Sequence, residues 1–217
     1  MPNRPDRASF PAPPLPHELT HAALADAAQR CRACDLYEGT TQAVLGEGPP
    51  SARVMLVGEQ PGDREDIEGH PFVGPAGRIL DEALERAGIA RDDQAYVTNA
   101  VKHFRYRARG KRRIHQRPDR WHVLACFPWL EAELRLIEPE ALVLLGATAA
   151  QAVLGPRTKV GESRGTRLEC DLACVVTVTV HPSSILRVAG SDERRHAMDQ
   201  FVGDLGAVAG WIGAARI

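Results

Sequence analysis

Four short apolar runs constrain this chain more than anything else in it: Arg53–Gly58 (RVMLVG), Ala95–Ala100 (AYVTNA), Ala141–Gly146 (ALVLLG) and Cys174–Val180 (CVVTVTV). Three of them are continuously apolar rather than alternating, the pattern of strands buried on both faces. Helical periodicities lie between them. Gly77–Ala87 puts Ile79, Leu80, Ala83, Leu84 and Ala87 on one face and closes at Gly88. Arg117–Ile137 opens with Pro118 near its first turn and carries Val123, Leu124, Phe127, Leu130, Leu134 and Ile137, and Asp192–Ile212 is helical in pattern as well. Strands alternating with helices imply an α/β fold, a three-layer α/β/α sandwich around a four-stranded parallel sheet.

A chain of 217 residues with 44% hydrophobic residues is long enough for one such domain and cramped for two. Residues 1–16 hold six of the 16 prolines and almost no apolar periodicity, so they read as a disordered or extended tail, with a single domain over 17–217. From His17 the pattern turns helical, with Leu19, Ala22, Ala23 and Ala27 at helical spacing, and runs into Cys31. No run of 18 apolar residues offers a membrane span, and MPNRPDRASF lacks the apolar stretch of a secretory signal. A reducing, cytoplasmic setting is therefore expected. Five cysteines (Cys31, Cys34, Cys126, Cys170, Cys174) then point to metal or cluster ligation rather than to disulfides.

The informative residues fall where each expected strand ends. GEQPGD (Gly58–Asp63) follows the first, TNAVKH (Thr98–His103) the second, GATAA (Gly146–Ala150) the third and HPSS (His181–Ser184) the fourth. Ligands of open parallel sheets bind beyond the carboxyl ends of the strands, so these four segments converge on one rim. Gly58, Pro61 and Gly62 allow a sharp turn with free backbone N–H groups, and Glu59 sits inside it. The Asn99 amide offers a donor and an acceptor, as reading the edge of a nucleobase requires. Each motif alone has a plain structural reading: a tight turn, a capping asparagine, a His-Pro loop. Their sharing one rim is what marks an active site.

Charge is distributed unevenly. Lys102–Arg120 holds nine Lys and Arg (Lys102, Arg105, Arg107, Arg109, Lys111, Arg112, Arg113, Arg117, Arg120) against Asp119, a local charge of +8, while the rest of the chain carries −9. A basic patch on an acidic body suits a phosphate-bearing ligand held at one face, although a solvated charge run has the same composition. Cys31-Arg32-Ala33-Cys34 has the spacing that puts two thiolates on one metal or cluster; a redox pair has it too, but this pair precedes the first strand, outside a thioredoxin-like context. Cys126 and His103 are candidate further ligands, whereas Cys170 and Cys174 read as ordinary buried cysteines.

GEQPGD, PFVGPAGR (Pro71–Arg78), VTNAVKH, ACFPWL (Ala125–Leu130), LLGATAA and VHPSS resemble, in order and content, the uracil-DNA glycosylase superfamily, and within it the iron–sulfur family 4 branch. GKRRIH (Gly110–His115), between the second strand and the next helix, resembles the signature of the covalent X-type enzymes (UdgX). The resemblance runs from Cys31 to the last helix. It implies a [4Fe–4S] cluster on Cys31, Cys34, His103 and Cys126, with His103 a departure because VKH stands where family 4 usually has VKC; histidine can replace cysteine on a cluster iron. It further implies a flipped uracil stacked on Phe72, read by Asn99 and contacted near Gln60. His181 would stabilise the departing base, His115 would bond to the anomeric carbon, and Glu59 would orient or accept the His115 proton. Arg113, Asp63, Ser183 and Ser184 would serve uracil or DNA binding. The implied partner is uracil-containing DNA, preferably single-stranded, bound by a monomer. Three rival functions stand beside this one: an ordinary turnover glycosylase, a DNA-binding protein that kept the scaffold without catalysis, and a nucleotide-binding enzyme. The last lacks a GxxxxGK[ST] or GxGxxG loop.

Overall fold

The computed structural model describes residues 10–169 and 175–214. In chain order the elements are α1 (His21–Gln29), a 3-10 turn (Asp35–Gly39), β1 (Val54–Gly58), α2 (Asp63–Glu68), α3 (Pro75–Arg86), α4 (Arg91–Gln94), β2 (Ala95–Asn99), β3 (Tyr106–Arg109), β4 (Arg112–His115), α5 (Arg120–Ile137), β5 (Ala141–Leu145), α6 (Ala147–Leu154), α7 (Val160–Ser163), β6 (Val175–Thr179), α8 (Pro182–Leu186) and α9 (Ser191–Ala214). The expected sheet is present: β2-β1-β5-β6, all parallel. Cys170 and Cys174 lie outside the described residues.

The period of two along each strand divides the core into two layers. Val54, Leu56, Val97, Val143 and Leu145 face α3 and α9, packing with Leu80, Leu84, Phe201 and Leu205. Met55, Val57, Tyr96, Leu142, Leu144, Val176 and Val178 face α5 and α6, packing with Leu130, Leu134, Ala149 and Ala150. Every residue of β1, β2 and β5 is buried, which is why those segments read as unbroken apolar runs. A third cluster docks α1 through Leu24, Ala27 and Ala28 against Val123, Cys126 and Trp129 of α5, with Cys31 at the seam.

One expectation about the chain between β2 and α5 is corrected. The helix opens at Arg120 rather than Arg117, because Asp119 and His122 close its first turn: the Asp119 N–H donates to His122 Nδ1 at 3.0 Å. That leaves His122 Nε2 protonated and donating to Asp35 Oδ1 at 2.9 Å. The basic segment forms an antiparallel hairpin, with Tyr106 opposite His115 and Arg109 opposite Arg112. Its two-residue turn is Gly110-Lys111, where Gly110 takes φ +59°, the left-handed backbone that glycine adopts freely at the first turn position.

The order in which strands are added reverses between β1 and β5: β2 lies to one side of that pair and β6 to the other. Open α/β sheets bind ligands in the crevice beyond the carboxyl ends at such a switch point. The fold therefore places the site beyond Gly58 and Leu145, next to Asn99 and His181.

Candidate active site

A cavity of about 620 Å³ occupies that crevice, lined by Glu59 and Gln60 after β1, Phe72 before α3, Asn99 at the end of β2, His115 at the end of β4, Thr148 at the start of α6, and His181 after β6. Its size lies in the range of small-molecule sites. The four strand ends thus meet around one space, and the hairpin contributes a fifth wall.

The floor is set by glycine. Gly58 ends β1 where a Cβ would overlap Asn99 Oδ1 and lie 2.7 Å from Phe72 Cζ, so only hydrogen lets the amide and the ring meet there. Phe72 itself has φ +58°, unusual for a bulky residue. The turn is held because the next helix packs Gly77 directly on the Phe72 carbonyl, where a Cβ would collide with the oxygen. Glu65 of α2 supports the same turn by accepting from the Gly74 N–H at 2.9 Å. Asn99 is 3% exposed, and among the described residues none is hydrogen-bonded to its side-chain amide. A buried amide facing a cavity is equipped to bind a ligand edge with matching donor and acceptor.

His181 caps α8. Its Nδ1 accepts from the Ser183 N–H at 3.2 Å and lies 2.9 Å from Ser183 Oγ, so the ring proton is on Nε2. Burial, with the neighbouring His115 and Arg187, pushes its pKa down to about 4. At neutral pH it is an uncharged imidazole held as an N–H donor.

His115 Nε2 lies 3.0 Å from Gln60 Nε2 and 3.6 Å from Glu59 Oε1. The Gln60 amide is oriented unambiguously: its Oε1 accepts from the Arg105 N–H at 3.1 Å, while its Nε2 faces the Arg105 and Gln116 carbonyls, both at 3.1 Å. His115 Nε2 is a third polar atom within hydrogen-bond reach of an amide nitrogen whose two hydrogens face the Arg105 and Gln116 carbonyls. Burial lowers the His115 pKa more than the Glu59 carboxylate raises it, with Arg187 adding to the depression. Glu59 Oε2 in turn accepts from the Thr148 hydroxyl.

Several expected site residues take different positions. Arg113 is committed to the protein: its guanidinium donates to Asp63 Oδ1 and Asp66 Oδ2, each at 2.5 Å, under the rings of Phe104 and Tyr106. It fixes the hairpin against α2 rather than offering a free cation to phosphate, and Asp63 is its partner at the cavity edge. Ser184 does not line the cavity; its Oγ donates to the His181 carbonyl at 2.8 Å, inside its own helical turn. Lys102, counted with the basic patch, is buried at 1% exposure in an ion pair with Glu133. Arg105 pairs with Asp119, and Arg117 donates to Thr148 and Gln151. Five cations remain exposed and without an ion-pair partner among the described residues: Arg107, Arg109, Lys111, Arg112 and Arg120.

Residues missed from sequence are Thr148, Glu65 and Arg187, all lining the cavity, and Arg117, counted with the basic patch, lines it as well. Thr148 belongs to the GATAA segment expected at the rim, so its position was legible though its bond to Glu59 was not. Arg187 follows HPSSIL by one residue and carried no signal of its own.

Cys31, Cys34 and Cys126 are buried free thiols, each 5–6% exposed, and His103 is 5% exposed. Burial lifts the Cys34 thiol to about 11 and Cys126 to about 12, with neighbouring sulfurs adding to both. Trp129 Nε1 donates to Cys31 Sγ at 3.3 Å and the Lys102 N–H to Cys126 Sγ at 3.2 Å. Burial holds His103 down to about 4, hence neutral and able to ligate. Among the described residues no group of three or more His, Cys, Asp or Glu converges tightly enough for a single metal ion.

Comparison with known proteins agrees with this geometry. Residues 45–206 match the family described as the Uracil DNA glycosylase superfamily. The chain is 35% identical to the Type-4 uracil-DNA glycosylase of Thermotoga maritima over 82% of this chain and 89% of that one. It is 37% identical to the Type-4 uracil-DNA glycosylase of Pyrobaculum aerophilum, over 73% of this chain and 81% of that one. A Type-5 uracil-DNA glycosylase of Thermus thermophilus is 31% identical over 51% of this chain and 53% of its own length. A parallel four-stranded sheet with its switch point at a cavity bearing Phe72, Asn99 and His181, together with these matches, establishes that the chain belongs to the uracil-DNA glycosylase superfamily.

Proposed function

We propose that this protein is a uracil-DNA glycosylase, cleaving the bond between uracil N1 and the deoxyribose C1′ in DNA. The carrying observation is the convergence of Phe72, the unpartnered Asn99 amide and the Nε2–H of His181 on one cavity at the sheet switch point. A base swung into this cavity stacks on Phe72 and is read at its edge by Asn99. As the glycosidic bond breaks, its electron pair leaves with the base and charge develops on the uracil oxygens. A fixed neutral N–H donor there stabilises the transition state more than the ground state. Removing such a donor typically costs about 10²–10³ in rate. His181→Ala is therefore expected to lower single-turnover uracil release about 100-fold while DNA affinity holds; an unchanged rate contradicts this role.

The exposed cations of the hairpin supply the phosphate contacts. Arg112→Ala should weaken binding similarly for all sequences and lower the slope of log affinity against log salt by about 1. A slope unchanged by that substitution returns the hairpin to the status of a solvated charge run.

Cys31, Cys34 and Cys126 are buried thiols and His103 is a buried neutral imidazole, donors of the kind a cluster iron takes. The residues fit a [4Fe–4S] cluster held by Cys31, Cys34, Cys126 and His103, which when bound would crosslink the α1 end to α5 and the β2 exit. About four irons per chain and broad visible absorbance are expected, and His103→Ala should make that absorbance labile whereas His103→Cys retains it. Colourless, iron-free protein with full activity overturns the assignment.

The sugar cation left by excision has two possible fates. The relatives named Type-4 uracil-DNA glycosylases favour ordinary turnover, with water taking the cation. The position of His115 favours capture. His115 lines the cavity beside Glu59, and its neutral ring offers one unprotonated nitrogen. Capture of the sugar cation by that nitrogen forms an N–C1′ bond, the C1′–N1 pair having already left with uracil, and the alkylated ring, retaining its other proton, becomes a cation. The Glu59 carboxylate is placed to offset that charge.

A further inference from the structure

We infer that Lys102 is a positioning residue for uracil recognition, its buried ammonium fixing the peptide of Asn99 and thereby the angle at which the Asn99 amide meets the base. The inference rests on the reading of the cavity as a uracil site.

Lys102 is 1% exposed and Glu133, from the middle of α5, is fully buried. The three ammonium hydrogens have three acceptors: Glu133 Oε2 at 2.5 Å, Thr98 Oγ1 at 2.7 Å and the Asn99 carbonyl at 2.7 Å. Glu133 is equally occupied, accepting from the Gly46 N–H at 2.7 Å, the Tyr96 hydroxyl at 3.1 Å and the Thr98 hydroxyl at 3.0 Å. Burial and Glu133 together push the Tyr96 phenol far above its usual range, so it remains a donor. The network is complete, and neither Lys102, Glu133, Tyr96 nor Thr98 lines the cavity.

Stability alone does not account for it. Removing two charges from water costs so much that well-packed apolar pairs commonly do as well or better. The location supplies a reason. β2 is an edge strand, bordered on its outer side by the isolated pairing of Glu47 with Val97 and by the Val44 N–H on the Lys102 carbonyl, and neither of these touches the Asn99 peptide. On the β1 side the Ala100 and Val101 N–H groups donate to the Gly58 and Glu59 carbonyls, each at 3.0 Å. On the other side Lys102 Nζ holds the Asn99 carbonyl. The peptide that follows the Asn99 Cα is thus held from both edges, and an amide with no side-chain partner of its own is aimed by that peptide. A tight constraint is what base-edge recognition needs, because a small angular error loses one of two hydrogen bonds.

The test is a double-mutant cycle on the full-length chain. Lys102→Met with Glu133→Gln leaves no lone buried charge, and Tyr96→Phe serves as a control that removes a Glu133 hydrogen bond without touching Asn99. Each is measured for single-turnover uracil release from a single-stranded oligonucleotide, for affinity to the same oligonucleotide carrying a stable abasic analogue, and for thermal midpoint. The paired substitution should slow uracil release at least tenfold in the wild-type background. In an Asn99→Ala background it should slow it less than threefold, because Lys102 acts through Asn99. Affinity for abasic DNA should change less than twofold, and Tyr96→Phe should lower the thermal midpoint without slowing release. Equal losses in both backgrounds, or a loss in Tyr96→Phe matching that of the pair, overturn the inference. If the pair does not fold, Glu133→Gln alone is read by the same criterion. Absence of uracil release by the wild-type protein instead defeats the underlying reading of the site, so the two failures are distinguishable.

Discussion

His115→Ser is expected to release free uracil and an abasic strand without a protein–DNA adduct that survives denaturation, whereas the wild-type chain is expected to form one. This is the expected result if excision and capture use different groups. Phe72, Asn99 and His181 lie on the side of the cavity built by the sheet, while His115 is carried by the hairpin and held through Gln60. Removing the imidazole opens space for water at C1′ without disturbing the donor that supports the departing base. The adduct yield is expected to fall more than 100-fold. The wild-type pH profile carries a second signature. A protonated imidazole has no lone pair, and partial desolvation of the half-exposed His115 ring at the cavity edge, with Arg187, lowers its pKa. Adduct formation should therefore be flat through neutral pH and decline only below the ordinary imidazole value. A denaturing gel across pH reads both effects; a crosslink of undiminished yield in His115→Ser refutes capture by this residue.

Gly58→Ala is expected to abolish excision with either fate of the sugar. The added methyl group overlaps Asn99 Oδ1 and presses on the Phe72 ring. Phe72 cannot retreat, because its carbonyl is already against Gly77 and its backbone is held at φ +58°. Overpacking of this kind costs about 1–3 kcal/mol, which a folded domain of this size tolerates. The loss of uracil release should far exceed what that destabilisation explains, at least 100-fold at a temperature where circular dichroism shows the variant folded. Ala at position 58 with release within threefold of wild type would mean the base does not sit on the Phe72–Asn99 floor.

The sheet was legible because its strands are buried on both faces. β1, β2 and β5 end within one residue of the apolar runs that announced them. The convergence of GEQPGD, VTNAVKH, GATAA and HPSS came from strand direction alone. The hairpin escaped because β3 and β4 are short, charged and largely exposed, so burial imposes no apolar alternation; only Gly110-Lys111 marked the turn. α2 escaped for a similar reason: DREDIE reads as a polar linker, yet its Glu65 and Asp66 point inward, to the Gly74 N–H and to Arg113. Side-chain direction decided the remaining errors. Arg113 and Arg112 are neighbours in one basic run, but one is clamped by two aspartates and the other faces solvent. Lys102 and Glu133 are 31 residues apart, and nothing in either local sequence announces that they meet.

Whether this cavity removes uracil from DNA is decided by incubating the purified chain with an equimolar single-stranded oligonucleotide bearing one deoxyuridine and quantifying free uracil by mass spectrometry. Release should approach one uracil per oligonucleotide, with none from the matching thymidine oligonucleotide and about 100-fold slower release by His181→Ala. Intact deoxyuridine after prolonged incubation with the wild-type protein, with DNA binding demonstrated in the same sample, would contradict the assignment of this cavity as the excision site.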